Sequence, residues 1–138
     1  MQIGLVAVVT SRYTLDAVDP AFRTWLAERM ELLGAVRLPG TAFKAVAGTN
    51  ATTDILLLRR RQHDGDRLAH AAAASGWLHS VPLDGPAAED HHPDGPRVNE
   101  WFLARPDERV CGTLTTGPGQ YRNHDLVVEP PPDLERTL

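Results

Sequence analysis

The sequence predicts an α/β domain, and three observations carry that prediction. Two runs, Ile3–Thr10 and Ile55–Leu58, are continuously apolar, the pattern of strands covered on both faces as in a parallel α/β sheet. Between them, a stretch with apolar residues at helical spacing leads into another short apolar segment. Strand, helix and strand in that order suggest a right-handed crossover. A chain of 138 residues suits one domain and can bury a real core.

Taken in order, Ile3–Thr10 is the first strand. Thr10-Ser11-Arg12-Tyr13 leaves its C-terminal end, the end that faces the ligand crevice in open α/β sheets. Ser11 and Tyr13 are therefore candidate crevice residues, with turn polarity and a packed ring as the plainer account of them. Asp19-Pro20 opens a helix, because Asp19 can cap free N–H groups and proline suits the first helical position. Phe22, Trp25, Leu26, Met30 and Leu33 then repeat at helical spacing and form one apolar stripe for the core. Gly34 is a natural stop, and Ala35–Leu38 reads as a short strand ended by Pro39.

The stretch from Leu38 to Asp54 organises the rest. It is a long, mostly polar loop carrying Phe43, the only lysine (Lys44), and four threonines that include Thr49 and Thr52. Loops of this length inside a domain are uncommon and often functional; the bland alternative is a solvated connection whose Phe43 plugs the core. Ile55–Leu58 follows as another doubly buried strand. Arg59-Arg60-Arg61 closes it as a solvated end, with phosphate binding as the second reading.

From Gln62 to Arg97 the pattern weakens. Leu68–Ser75 is alanine-rich and reads as a short helix ending at Gly76, and Trp77-Leu78 tucks against the core. Pro82–Pro96 reads as an exposed loop. Its His91-His92 pair lacks the i, i+4 spacing of helical metal ligands, so no metal site is assigned. Val98, Trp101 and Phe102 fit one face of a short helix ending near Pro106. Arg109–Leu114 is extended, Gly117-Pro118-Gly119 is a turn, and Leu126–Val128 is a last strand that Pro130-Pro131-Pro132 stops.

Composition excludes several classes. The net charge of −4 is not that of a basic module gripping nucleic acid over its whole surface, so any such contact is local. The one cysteine, Cys111, cannot form an internal disulfide and reads as a small packed residue, which fits a reducing, cytoplasmic setting. No apolar stretch is long enough to cross a membrane, and the N-terminus lacks the features of a signal peptide.

The strings Gly4–Ser11, Leu38–Phe43 and Thr52–Leu58 together resemble the second half of an adenine-specific DNA methyltransferase. The resemblance is greatest to the methylase part of large helicase–methylase proteins of phages and mobile elements. Val98–Leu103, Arg109–Leu114, Gly119-Gln120-Tyr121 and Asp125–Val128 also look like that group. Two family motifs are absent: the glycine-rich turn that cradles S-adenosylmethionine, and the Asn/Asp-Pro-Pro-aromatic tetrapeptide that meets the target amino group. Both lie upstream of a segment like Gly4–Ser11 in the family. The chain therefore looks like the C-terminal portion of a catalytic domain, with Met1 at or near a break.

The resemblance implies a partial Rossmann-like methyltransferase fold, made of the later strands and helix of the sheet, with an irregular C-terminal extension. Residues 1–61 would be the methyltransferase-like half, 62–97 a variable loop-rich insertion and 98–138 a family-specific extension. It further implies that the Ile55–Leu58 strand lies between Ile3–Thr10 and Ala35–Leu38 and runs antiparallel to them. Such enzymes take the adenine out of the duplex, and Phe43 matches a position whose aromatic stacks on the flipped base. Lys44, Thr49 and Thr52 have side chains suited to nearby phosphate contacts. No catalytic residue and no metal is assigned to this chain. S-adenosylmethionine is expected in the complete enzyme and not on the isolated chain. The expected partners are DNA and an upstream methyltransferase half or helicase region, on the same or another chain. The rivals are a non-catalytic protein-interaction module, such as a gene remnant, and nucleic-acid binding without chemistry.

Overall fold

The computed structural model of the chain describes residues 4–43, 51–61, 75–83, 96–117 and 125–132. Its main sheet has three strands: β1 (Leu5–Ser11), β2 (Met30–Leu38) and β3 (Thr53–Arg60), in the order β1-β3-β2. β3 is antiparallel to both neighbours, so β1 and β2 run parallel to each other with β3 between them. This is the order and direction expected for the Ile55–Leu58 segment. The remaining strands pair in antiparallel twos: β4 (Ser80–Pro82) with β5 (Arg97–Asn99), and β6 (Thr113–Gly117) with β7 (Asp125–Glu129). The protein is thus mixed α/β with small, mostly antiparallel sheets, not the wide parallel sheet that the apolar runs alone suggest.

Side chains alternate across a strand, and the register divides the main sheet into two faces. Asp54, Leu56 and Leu58 of β3 lie opposite Thr10, Val8 and Val6 of β1 and opposite Arg37, Ala35 and Leu32 of β2. Asp54, Leu56, Leu58, Ala35 and Arg37 are buried, so this is the core face. The other face carries Leu5, Val9, Val36, Ile55 and Leu57, all exposed, with Leu5 at 63 % and Val9 at 59 %. The expectation of strands buried on both faces is corrected here. Continuous apolar composition reports that both faces are fit to be covered, and among the described residues only one is.

The helix that follows β1 also departs from expectation. A short α1 (Tyr13–Asp16) precedes α2, which spans Ala21–Arg29 and stops where β2 begins. Asp19 does cap it, its Oδ1 accepting from the Ala21 N–H at 2.9 Å. However, Met30 to Leu33 belong to β2, whose ladder with β3 reaches back to the Met30↔Arg60 pair through a bulge between Leu32 and Gly34. The predicted stripe is buried only in part: Leu26 is inside, together with Arg23 and Ala27, whereas Phe22 is 55 % and Trp25 51 % exposed. The Arg23 side chain is inside because it has work there. Its Nε donates to Leu78 O at 2.8 Å, Nη2 to Ala17 O at 2.8 Å and Nη1 to Thr14 O at 3.2 Å. Burial lowers its pKa, opposed by Asp16 and Asp19.

The core lies on one side of the main sheet. Leu26 and Ala27 of α2, Leu15 of α1, Trp77 and Leu78, Val98, Phe102 and Val110, and Leu126 and Val128 of β7 join Ala35, Leu56 and Leu58. Trp77-Leu78 tucks in as expected. Val98 sits on β5 rather than on the helix; that helix is α3 (Glu100–Ala104), and a short α4 (Pro106–Arg109) follows it. Asn99 joins three segments, its Nδ2 donating to Leu15 O at 2.7 Å and Trp77 O at 2.8 Å while its Oδ1 accepts from Trp101 N–H at 2.9 Å. Gly112, at φ 130°, lets the backbone pass Glu129, where an added Cβ would lie 2.1 Å from a carbonyl oxygen. The alanine-rich Leu68–Ala74 stretch, His91-His92 and the Pro118-Gly119 turn lie outside the described residues.

The two edges of the main sheet differ. β2 is met by Val110, through a parallel bridge at Arg37 and a Cys111 N–H to Arg37 O hydrogen bond of 2.8 Å. Among the described residues no strand pairs with the outer edge of β1. An unpaired edge next to an exposed apolar face is a template for association. Sedimentation over a concentration series is expected to show reversible self-association of the chain. Val9→Lys, a charge placed on that face beside the unpaired edge, is expected to suppress it. A monomer at every concentration would mean that the chain covers the face itself.

Candidate functional site

The register Ser11↔Thr53↔Leu38 brings the C-terminal ends of β1 and β2 and the start of β3 together at one end of the sheet. Three features meet there: the Ser11–Tyr13 exit, the buried Pro39 with its 3-10 turn Gly40–Phe43, and Thr52 on the returning strand. The Arg12 N–H donates to Thr52 O at 3.1 Å, closing the base of the loop between β2 and β3. Ser11 and Tyr13 are exposed, and Thr10 and Thr14 share a hydroxyl hydrogen bond of 2.7 Å beneath them. Thr53 Oγ1, in the row with Ser11 and Leu38, is enclosed and has no hydrogen-bond partner among the described residues. A buried polar atom of that kind calls for a partner.

Beneath this end lies a buried cluster of two arginines and three aspartates. Arg37, fully buried, is bidentate to both neighbours: Nε and Nη2 donate to Asp54 at 2.8 and 2.9 Å, and Nη1 and Nη2 to Asp16 at 2.7 and 3.0 Å. Arg12 donates from Nη1 to Asp16 Oδ2 at 3.1 Å and from Nη2 to Asp125 Oδ1. The Asn99 N–H completes Asp16 at 2.8 Å, and the Leu126 N–H donates to Asp125 Oδ1 at 2.8 Å. The Arg37 guanidinium also sits 4.2 Å from the centre of the Phe102 ring, and that of Arg12 4.3 Å from the centre of the Tyr13 ring.

Burial works against the Arg37 charge, but Asp16 and Asp54 outweigh it and hold the guanidinium more firmly protonated than a free arginine. Burial likewise pushes the Asp54 carboxyl above the usual carboxylate range, with Arg37 pulling it back. Both Asp54 oxygens accept from Arg37, so the site is built around the ionised form. Each carboxylate of the cluster is engaged by an arginine, so the cluster ties α1, β2, the start of β3 and β7 together behind the Ser11–Tyr13 exit. Among the described residues, no group of His, Cys, Asp and Glu is arranged to hold a metal ion.

The residues singled out in the sequence fall out as follows. Ser11 and Tyr13 stand at the rim, and the Tyr13 hydroxyl points at Asp125 Oδ2 from 3.4 Å. Thr52 is buried at the inner end of the loop. Phe43 ends the 3-10 turn, while Lys44 and Thr49 lie outside the described residues. Sequence reasoning missed the charge cluster altogether. The available signal was a charged residue set inside each apolar run: Arg37 between Val36 and Leu38, Asp54 before Ile55 and Asp16 after Leu15. Comparison with protein-family models, with curated proteins and with solved structures finds no match.

Removing one member of a buried ion cluster strands the others without a countercharge. Arg37→Met is expected to destabilise the chain by about 3–5 kcal/mol, much of the stability of an ordinary domain. Denaturant unfolding measures it. A loss below about 1 kcal/mol would show that Asp16 and Asp54 find other partners.

Proposed function

We propose that this chain is the C-terminal half of an adenine-specific DNA methyltransferase domain and forms the target-base side of its site. The observation that carries the reading is the strand order: two parallel strands flank an antiparallel third, and a long loop leaves the C-terminal end of β2 to reach it. That is the arrangement the resemblance implies for the loop bearing Phe43.

In this reading each part of the crevice end has a task. Phe43, at the end of the Gly40–Phe43 turn, stacks on the flipped adenine, a contact worth about 1–3 kcal/mol. Lys44 and Thr49 meet phosphate, and the Ser11 and Tyr13 hydroxyls line the rim. Thr52 and the Arg12–Asp16–Arg37–Asp54 cluster hold the loop base, so that stacking finds a preorganised partner. S-adenosylmethionine supplies the methyl group in the complete enzyme. The carboxylates described at this end are all engaged by arginine, so none is open to the ribose in the way nucleotide-binding folds use one. The reading therefore gives the cofactor to the upstream half. That half also accounts for the bare sheet face and unpaired β1 edge, by laying cover on one and a strand beside the other.

The same bare face favours a second reading, a module that binds another protein without chemistry. Assembly with an upstream half separates the two. The assembled protein is expected to methylate adenine, and Phe43→Ala to lower the rate about tenfold or more while damping the fluorescence change of 2-aminopurine placed at the target. Full activity with an unchanged signal would make Phe43 a packing residue, and assembly without any methylation would favour the interaction module. Calorimetric titration of S-adenosylmethionine into the 138-residue chain alone is expected to show no saturable binding; micromolar binding would overturn the assignment of the cofactor to the missing half.

A further inference from the structure

At the opposite end of the main sheet, a cleft of about 430 Å³ opens between α2 and the ends of β1 and β3. Its lining combines apolar side chains, Val6, Leu26 and Met30, with basic ones, Arg29, Arg60 and Arg61, and with Trp25. Among the described residues no acidic side chain lines it. In a chain of net charge −4, that concentration of guanidinium needs an explanation.

Part of it is local structure. The Arg61 N–H donates to Arg29 O at 3.0 Å and its Nε to Ala27 O at 2.8 Å, while Arg29 Nη1 donates to Trp25 O at 2.9 Å and to Glu28 at 3.2 Å. The Arg29 guanidinium also lies 4.4 Å from the centre of the Trp25 ring. These contacts complete the last carbonyls of α2. They also hold both guanidiniums in place, and each retains further N–H donors of its five.

Arg60 has no such role. Strand alternation splits the arginine run between the two faces of β3. Arg59 goes to the outer face, where it pairs with Glu31 at 2.6 Å. Arg60 goes to the core side opposite Met30, at the cleft, exposed and without a side-chain partner among the described residues.

We infer that this cleft binds a small organic phosphate. The phosphate sits among Arg29, Arg60 and Arg61, and an apolar or aromatic body lies against Val6, Leu26 and Met30. Arginine forks match phosphate oxygens. The volume is more than a bare phosphate fills and falls within the range of small-ligand sites. A nucleoside monophosphate has this chemistry, whether free or as the phosphorylated end of a nucleic-acid strand. The cleft and the Phe43 loop are at opposite ends of the sheet, so the inference stands apart from the methyltransferase reading.

The test titrates the full chain with adenosine monophosphate, followed by calorimetry and by the fluorescence of the exposed Trp25. Saturable binding is expected, tighter than that of inorganic phosphate or of adenosine. Arg60→Ala is expected to weaken it about tenfold, the loss of one charged hydrogen bond. Its thermal unfolding should be unchanged, because the Arg60 side chain has no hydrogen-bond or ionic partner among the described residues and its backbone pairing is kept. Saturable binding that Arg60→Ala leaves intact would overturn the site. So would adenosine binding as tightly as the monophosphate, inorganic phosphate binding as tightly as either, or no binding at all. Where binding is seen, competition by a 5′-phosphorylated oligonucleotide supports the site with a strand end as its source, and lack of competition supports it with a free nucleotide.

Discussion

The contact on which the rest of the structure depends is the double bidentate grip of Arg37 on Asp16 and Asp54. It joins the middle sheet to α1, and through Asp16 it reaches Arg12, Asn99 and, beyond Arg12, Asp125 on the last strand. A buried ion cluster of this kind adds little over a well-packed apolar equivalent, because the charges give up their water. Its effect lies elsewhere: once such a cluster is inside, every member is obligatory. A slip of β3 by one residue would turn Asp54 to the outer face and leave Arg37 buried with only one of its two countercharges, Asp16. The register that aligns Ser11, Thr53 and Leu38 at one end of the sheet is therefore enforced by charge as well as by apolar alternation.

That register makes the sheet two-faced in an unusual way. The core face combines apolar packing with the ion cluster, and the polar groups there are satisfied by fork geometry and by main-chain N–H groups. The outer face is apolar yet bare among the described residues. The β1 edge, unpaired among the described residues, is continuous with that face.

The two ends of the sheet differ in chemistry as well as in position. At one end the ionic groups are consumed internally and the exposed chemistry among the described residues includes the Ser11 hydroxyl and the Tyr13 ring. At the other end the arginines are held by helix carbonyls and face open space, with Arg60 left over. The short-range hydrogen bonds that close α2 also hold two of the arginines of this basic cleft in place.

The sequence by itself located β1 and β3, because the apolar runs Ile3–Thr10 and Ile55–Leu58 persist whatever they pair with. It determined the start of α2, because Asp19 caps within two residues, and the breaks at Pro39 and after Glu129, because proline cannot extend a ladder. The position and direction of β3 between β1 and β2 were legible through the resemblance, not through periodicity. Only the tertiary structure decided the rest. Met30 to Leu33 fit a helical stripe, but a long β3 offers them strand partners, and cross-strand pairing outweighs local spacing. Phe22 and Trp25 look like core, but the buried side of α2 goes to Arg23, because three carbonyls wait for it there. The ion cluster could not be read at all: Arg12 and Asp125 are 113 residues apart. A charge set in an apolar run does not reveal whether it will meet water or a countercharge until the chain has brought one to it.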